Sequence, residues 1–233
     1  MGTTFYTADT HFRHALVAKL RGFEDCDAHD AELVRRWNSV VRPEDTVWHL
    51  GDVALGPAGA LWPYVDALNG TIHLVTGNHD RVWPYHRDAH KYHREYLGHF
   101  ASVQQYARRK IAGRYVLLSH FPYAGGGDHT ETERYQQYRL RDEGLWLLHG
   151  HTHSKDRATA VTLLPAMHGQ TEPQWRSKQI HAGLDAWDLK PVPQHEIERL
   201  ILAQEAELEA LVAGAAGDEL SRWRWGIRDA GAV

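Results

Sequence analysis

Residues 71–80 read TIHLVTGNHD. The β-prone run Thr71 to Thr76 is followed at once by Gly77, Asn78, His79 and Asp80, a glycine and three polar side chains. The same grammar occurs twice upstream. Thr46 to Leu50 runs into Gly51-Asp52, and Thr3 to Ala8 runs into Asp9-Thr10-His11. Between these strands lie two helical patterns. Asp27 to Val41 places Leu33, Val34 and Trp37 on one face, with Asp27 as N-cap and Pro43 as the stop. Pro57 to Leu68 begins near a proline and ends at Asn69-Gly70. The order β-α-β-α-β predicts a layered α/β fold with parallel strands.

Downstream, Pro84 to Phe100 is polar, histidine-rich and helical in part. Ser102 to Lys110 and Arg114 to Leu118 read as a hairpin about Gly113, and His120 follows its second strand. Ala124 to Thr130 holds three consecutive glycines and predicts a loop; Thr132 to Arg141 predicts a helix capped by its threonine. Leu145 to Leu148 is a short strand, followed by His149-Gly150-His151-Thr152-His153. Gln179 to Leu184 is a last core strand, and His195 to Val212 an amphipathic helix. A tail follows, with Trp223 and Trp225 between arginines, read as packing residues.

The chain has 233 residues, 42% of them hydrophobic, enough for one large α/β domain. Its net charge of −4 lacks the cationic excess of a protein that binds long nucleic acid. The N-terminus has no signal-peptide or myristoylation pattern, and no apolar run approaches the roughly 20 residues of a membrane span. One cysteine, Cys26, excludes an internal disulfide; the expectation is a cytoplasmic protein without a membrane partner.

Eighteen histidines are the compositional oddity. Many of the informative ones follow predicted strands, as do two aspartates and Asn78. Ligands of open α/β sheets bind outside the carboxyl ends of strands, so loops from different strands bring such side chains into one crevice. Imidazole and carboxylate donors without thiolate suit Zn, Mn, Fe or Co. Seven donors exceed the needs of one ion and suit two sharing a bridging aspartate, about 3.5–4 Å apart. Gly51, Gly77 and Gly150 precede the donors and are read as permitting sharp turns. His151 and His153 would face the same way along an extended backbone.

Five blocks stand in order: Asp9-Thr10-His11, Gly51-Asp52, Gly77-Asn78-His79-Asp80, His120 and Gly150-His151-Thr152-His153. In this the sequence resembles the calcineurin-like metallophosphoesterases, over roughly residues 3 to 190. Local stretches such as Thr46 to Val53 and Ser119 to Pro122 are similar to small bacterial and phage members. The resemblance implies a four-layer α-β-β-α sandwich of two mixed β-sheets flanked by helices. It implies that Asp9, His11 and His153 bind one metal, that Asn78, His120 and His151 bind another, and that Asp52 bridges them. His79 would protonate the leaving-group oxygen or stabilise the transition state.

These readings give a metallophosphoesterase domain over 1–190, with a C-terminal helix and tail, 191–233, packed on it. The expected cofactors are two divalent transition-metal ions, manganese first, iron or zinc as alternatives. The expected reaction is hydrolysis of a phosphate monoester or small phosphodiester, such as a nucleotide or cyclic nucleotide, by attack of a metal-bridging hydroxide. A nuclease on DNA or RNA ends and a non-catalytic scaffold of the same fold are the alternatives. Arg13, His14, Arg81 and His129 are candidate substrate contacts, while His86, His90 and His93 read as a solvated helical face or a cap over the site. The substrate within this class and the oligomeric state stay open.

Overall fold

A computed structural model describes residues 2–56, 59–125, 134–158, 163–164, 174–175 and 178–215. The strands are β1 Thr4–Thr7, β2 Thr46–His49, β3 Thr71–Val75, β4 Ser102–Gln104, β5 Tyr106–Ile111, β6 Arg114–Ser119, β7 Trp146–His149, β8 Leu163–Leu164, β9 Gln174–Trp175, β10 Gln179–His181 and β11 Val192–Pro193. The helices are α1 Ala15–Leu20, α2 Cys26–Asn38, α3 Trp62–Val65, α4 His93–Tyr96 and α5 Gln194–Ala215.

One sheet has the order β11-β1-β2-β3-β4 and a second β10-β7-β6-β5; β8 and β9 pair separately. Both large sheets are mixed. β1, β2, β3 and β4 run parallel, with β11 antiparallel to β1. β6, β7 and β10 run parallel, with β5 antiparallel to β6.

Alternation along the strands builds two cores. Tyr6, Trp48 and Val75 point between the sheets and meet Val116, Leu118, Trp146, Leu148 and Ile180. Their strand neighbours Phe5, Val47, Ile72 and Leu74 point the other way, onto Leu33 and Trp37 of α2, Val65 of α3 and Tyr96 of α4. Ile197 and Ile201 of α5 join the inter-sheet core. This is the four-layer sandwich expected from the sequence. No described helix is long and apolar enough to cross a membrane.

Four expectations need correction. Asp25 rather than Asp27 caps α2, accepting from the Ala28 N–H at 2.8 Å, and the helix ends at Asn38, before Pro43 acts. Residues 57–58 lie outside the described residues, and the rest of the Pro57–Leu68 pattern makes only the single turn α3. Gly59, at φ +89°, holds a conformation no helix continues through. The stretch Ser102 to Lys110 is two strands, because the chain passes at Gln105 from one sheet to the other; the hairpin about Gly113 joins β5 to β6. Thr132 and Glu133 lie outside the described residues; among residues 134–141, Tyr135 sits at φ +62° and the single turn Gln136–Tyr138 forms. The glycine loop at 126–130, His129 and the Trp223–Trp225 tail lie outside the described residues.

Leu148 is fully buried on β7, between β6 and β10. Leu148→Ala should lower the unfolding free energy in urea by about 2–5 kcal/mol, the cost of a core cavity. A loss below about 1 kcal/mol would contradict this placement of the core.

Candidate metal centre

The five polar blocks follow β1, β2, β3, β6 and β7 and meet at one edge of the sandwich. Backbone pairing continues past the strands and joins them. Asp9 N–H donates to Gly51 O at 2.9 Å, His11 N–H to Asp52 O at 3.1 Å, and Gly150 N–H to His120 O at 3.0 Å. Leu184 N–H donates to Ala8 O at 3.2 Å, tying one sheet to the other beside the site.

Two donor groups result. Asp9, His11 and His153 form one, and Asp52, His120 and His151 the other, with one donor atom from each residue within 4.8 Å of the rest of its group. Asn78 Oδ1 lies 3.1 Å from His120 Nε2 and so joins the second. Asp52 stands between the groups: its Oδ2 is 3.3 Å from His120 Nε2 and 3.8 Å from His11 Nε2. His79 stands at the rim, half-buried, with Nε2 3.9 Å from Asp52 Oδ2 and its backbone N–H donating to Asp52 Oδ1 at 2.8 Å.

The local backbone differs from the sequence expectation. Left-handed φ values fall on the donor residues themselves: Asp9 +60°, His11 +49°, Asp52 +55°, His151 +69° and His153 +50°. His151 and His153 therefore do not follow an extended chain, and their rings enter different groups. Gly51 does need its freedom, at φ +93°. Gly150 serves close approach instead, since a Cβ there would lie 2.5 Å from Ala8 Cβ and 2.8 Å from Asp9 Oδ2.

Residues not singled out in the sequence hold these turns. Arg21, on the turn after α1, donates to Asp9 O at 2.7 Å and Thr10 O at 3.2 Å. The same guanidinium makes a two-pronged contact with Asp185, at 2.9 and 2.8 Å. Asp185 in turn contacts His153 Nδ1 at 2.9 Å and so leaves Nε2 for the site. Asp80, quoted only as part of its block, accepts from the N–H groups of Asp52, Val53 and Gly77 at 3.0, 3.0 and 2.8 Å. His49 contacts Thr10 Oγ1 at 3.0 Å, and His181 Nε2 lies 3.7 Å from Asp9 Oδ2. The available signal for Asp185, His49 and His181 was their place at strand ends; Arg21 carried none.

The electrostatics suit bound cations. Burial opposes ionisation of Asp52, yet His120, His11 and His79 hold its carboxyl below the usual carboxylate range. Burial likewise opposes charge on His120, but Asp52 carries it up to about 9. Burial pushes His151 down to about 3, so its imidazole is neutral at pH 7. His11 Nδ1 and both ring nitrogens of His151 are buried with no hydrogen-bond partner among the described residues, and His11 Nε2 faces His153 Nε2 at 3.1 Å. Unsatisfied buried nitrogens are costly, and a divalent ion beside neutral imidazoles and carboxylates would satisfy those aimed at it. The donor set therefore fits such ions.

Among the candidate substrate contacts, the His14 ring packs 5.1 Å from His11 and 6.0 Å from His79, at the site. Arg13 and Arg81 line a cavity of about 340 Å³ that opens beside Asn78 and His79. Arg13 is already paired with Asp27 and Asp30. His86 lines the same cavity and contacts Asn78 O through Nε2 at 3.0 Å, so it belongs to the site and not to the solvated face that His90 and His93 form.

The architecture and this edge define a phosphoesterase fold. Residues 7–184 match the calcineurin-like phosphoesterase superfamily domain, and the chain belongs to that family. It is 40% identical to the Gene 66 protein of Mycobacterium phage D29, over 86% of this chain and 96% of the phage protein. An uncharacterized protein of Methanocaldococcus jannaschii is 27% identical, over 86% and 92% of the two chains. A crystal structure of a protein of unknown function from Aquifex aeolicus, 24% identical, shares the fold with a TM-score of 0.59, covering 86% of this chain and all of that one.

Arg21 and Asp185 are both largely buried, and pairing overrides burial to depress the Asp185 pKa. Its contribution to stability is therefore present above a carboxylate's ordinary pKa of about 3.9 and is lost as pH falls below it. Arg21→Met should cost about 3 kcal/mol at pH 7, because it takes the guanidinium from a largely buried carboxylate and leaves His153 as its remaining partner. The deficit should shrink when urea unfolding is repeated below about pH 4. A pH-independent deficit would contradict the ion pair.

Proposed function

We propose that the chain is a metal-dependent phosphoesterase that hydrolyses a phosphate monoester or a small phosphodiester, of the size of a nucleotide or cyclic nucleotide. One observation carries the reading: the buried Asp52 carboxylate lies within 4 Å of histidines from both donor groups. Asp9, His11 and His153 would hold one divalent ion, Asn78, His120 and His151 the second, with Asp52 between them. Such ions supply positive charge to phosphoryl oxygens and acidify a water, which is the chemistry a phosphate ester needs. Manganese is the first candidate, with iron and zinc as alternatives.

The protein residues do the positioning. Asp80 fixes the backbone that carries Asp52, and Asp185 and Arg21 fix His153 and Asp9. His79, anchored through its backbone to Asp52 and facing the cavity, would give a proton to the departing oxygen. His14, in ring contact with His79 and His11, would help to hold the substrate beside them. A cavity of about 340 Å³ suits a small molecule. The free, half-buried Cys26 agrees with a reducing cytoplasm. A nuclease acting on DNA or RNA ends would use the same donors, but the acidic chain disfavours it.

The test is a substrate panel with added manganese: an aryl phosphate, an aryl phosphodiester, 2′,3′- and 3′,5′-cyclic nucleotides, and short single-stranded DNA and RNA. One of the small esters should turn over fastest. His79→Ala should cut kcat by about 10²–10⁴-fold with metal content unchanged. Asp52→Asn should lower both metal content and rate. Faster cleavage of the oligonucleotides would assign a nuclease, and a chain that takes up no transition metal would be a scaffold.

A further inference from the structure

The cavity beside His79 is lined by three strongly charged side chains, and two of them are already neutralised. Arg13 pairs with Asp27 and Asp30. Asp88 pairs with Lys91 at 2.9 Å and Arg87 at 3.6 Å. The third, Arg81, meets no carboxylate among the described residues. Its NH1 donates to Tyr92 Oη at 3.0 Å and its NH2 to Gly56 O at 3.4 Å, both neutral acceptors. A guanidinium has five N–H donors, so five less two leaves three unused. The group is also held in place: its carbon lies 5.2 Å from the Tyr92 ring centroid, and the Arg81 backbone N–H donates to Tyr96 Oη at 3.3 Å. This is a half-buried, pre-positioned cation in a small-molecule cavity, with its remaining donors unmatched among the described residues.

We infer that this cavity receives the leaving group, and that Arg81 selects substrates whose leaving group carries its own negative charge, a carboxylate or a second phosphate. The inference rests on the phosphoesterase reading above, in which His79 serves the departing oxygen; the cavity begins at His79 and Asn78 and extends to Arg81, so a group bonded to that oxygen enters it. Guanidinium recognises a planar carboxylate or a phosphate through paired N–H bonds, which a neutral leaving group cannot return. Arg81 is thus a specificity residue, outside the two donor groups.

The test uses the full chain loaded with manganese and three matched esters: phenyl phosphate, 4-carboxyphenyl phosphate and benzene-1,4-diyl bis(phosphate). The wild type should favour one or both anionic esters by about tenfold in kcat/KM, the worth of a charge-assisted hydrogen bond. The better of the two tells carboxylate from phosphate. Arg81→Ala should abolish the preference through KM and leave phenyl phosphate within about twofold; Arg81→Lys should keep part of it. Calorimetric titration with phenylphosphonate and 4-carboxyphenylphosphonate reads the same selectivity without turnover. No preference in the wild type, or an equal loss on all ligands in Arg81→Ala, overturns the inference and leaves Arg81 a tether between Gly56 and Tyr92. Absence of any hydrolysis with the phosphonate preference intact would instead count against the phosphoesterase reading alone.

Discussion

The Asp52 carboxylate is buried at the meeting point of the two sheets' loops, with one oxygen accepting from the His79 N–H and the other within 4 Å of His11, His79 and His120. A buried carboxylate is tolerated only when positive or hydrogen-bonding groups surround it. Here those groups come from loops after β1, β3 and β6, so satisfying one charge forces three loops together. The same requirement explains why His120 is carried up to about 9 while burial holds His151 near 3. His120 answers the carboxylate's charge with a proton whose place a bound cation would take, and His151 stays neutral, ready to donate a lone pair.

Holding this arrangement costs conformational energy. Five donor residues adopt left-handed backbone, each at a cost on the order of 1–3 kcal/mol, and such strain persists only where the surroundings over-determine it. The over-determination is visible in Arg21, Asp80 and Asp185, which bond the carbonyls, amides and rings of the strained turns. The parallel core beneath supplies the rigid base: Tyr6, Trp48, Val75 and Leu118 are all buried a few residues before the donors. The site is precise because its strained tips sit on short, fully packed strands.

The parts of this molecule written in local sequence were legible. Strand runs ending in Gly-Asp, Gly-Asn-His and Gly-His-x-His announced both the sheets and the donors, since strand propensity and the polar tip are adjacent in the chain. Features set by distant partners were not. Arg21 and Asp185 lie 164 positions apart, and nothing near either predicts the other. The crossing at Gln105 hid inside an unbroken extended stretch, because alternation reports a strand and not the sheet it joins. In the described parts of the helices foreseen over Pro57 to Leu68 and Thr132 to Arg141, left-handed Gly59 and Tyr135 leave single turns. His86, read as part of a solvated face or of a cap over the site, joins the site through the cavity wall and its contact with the Asn78 carbonyl, a partner its local sequence does not announce.

The central claim is a pair of cations joined by one aspartate, and anomalous diffraction from crystals of the manganese-loaded chain tests it most directly. The account predicts two peaks, one among Asp9, His11 and His153 and one among Asn78, His120 and His151, with Asp52 touching both. A single peak, or peaks away from Asp52, would contradict it.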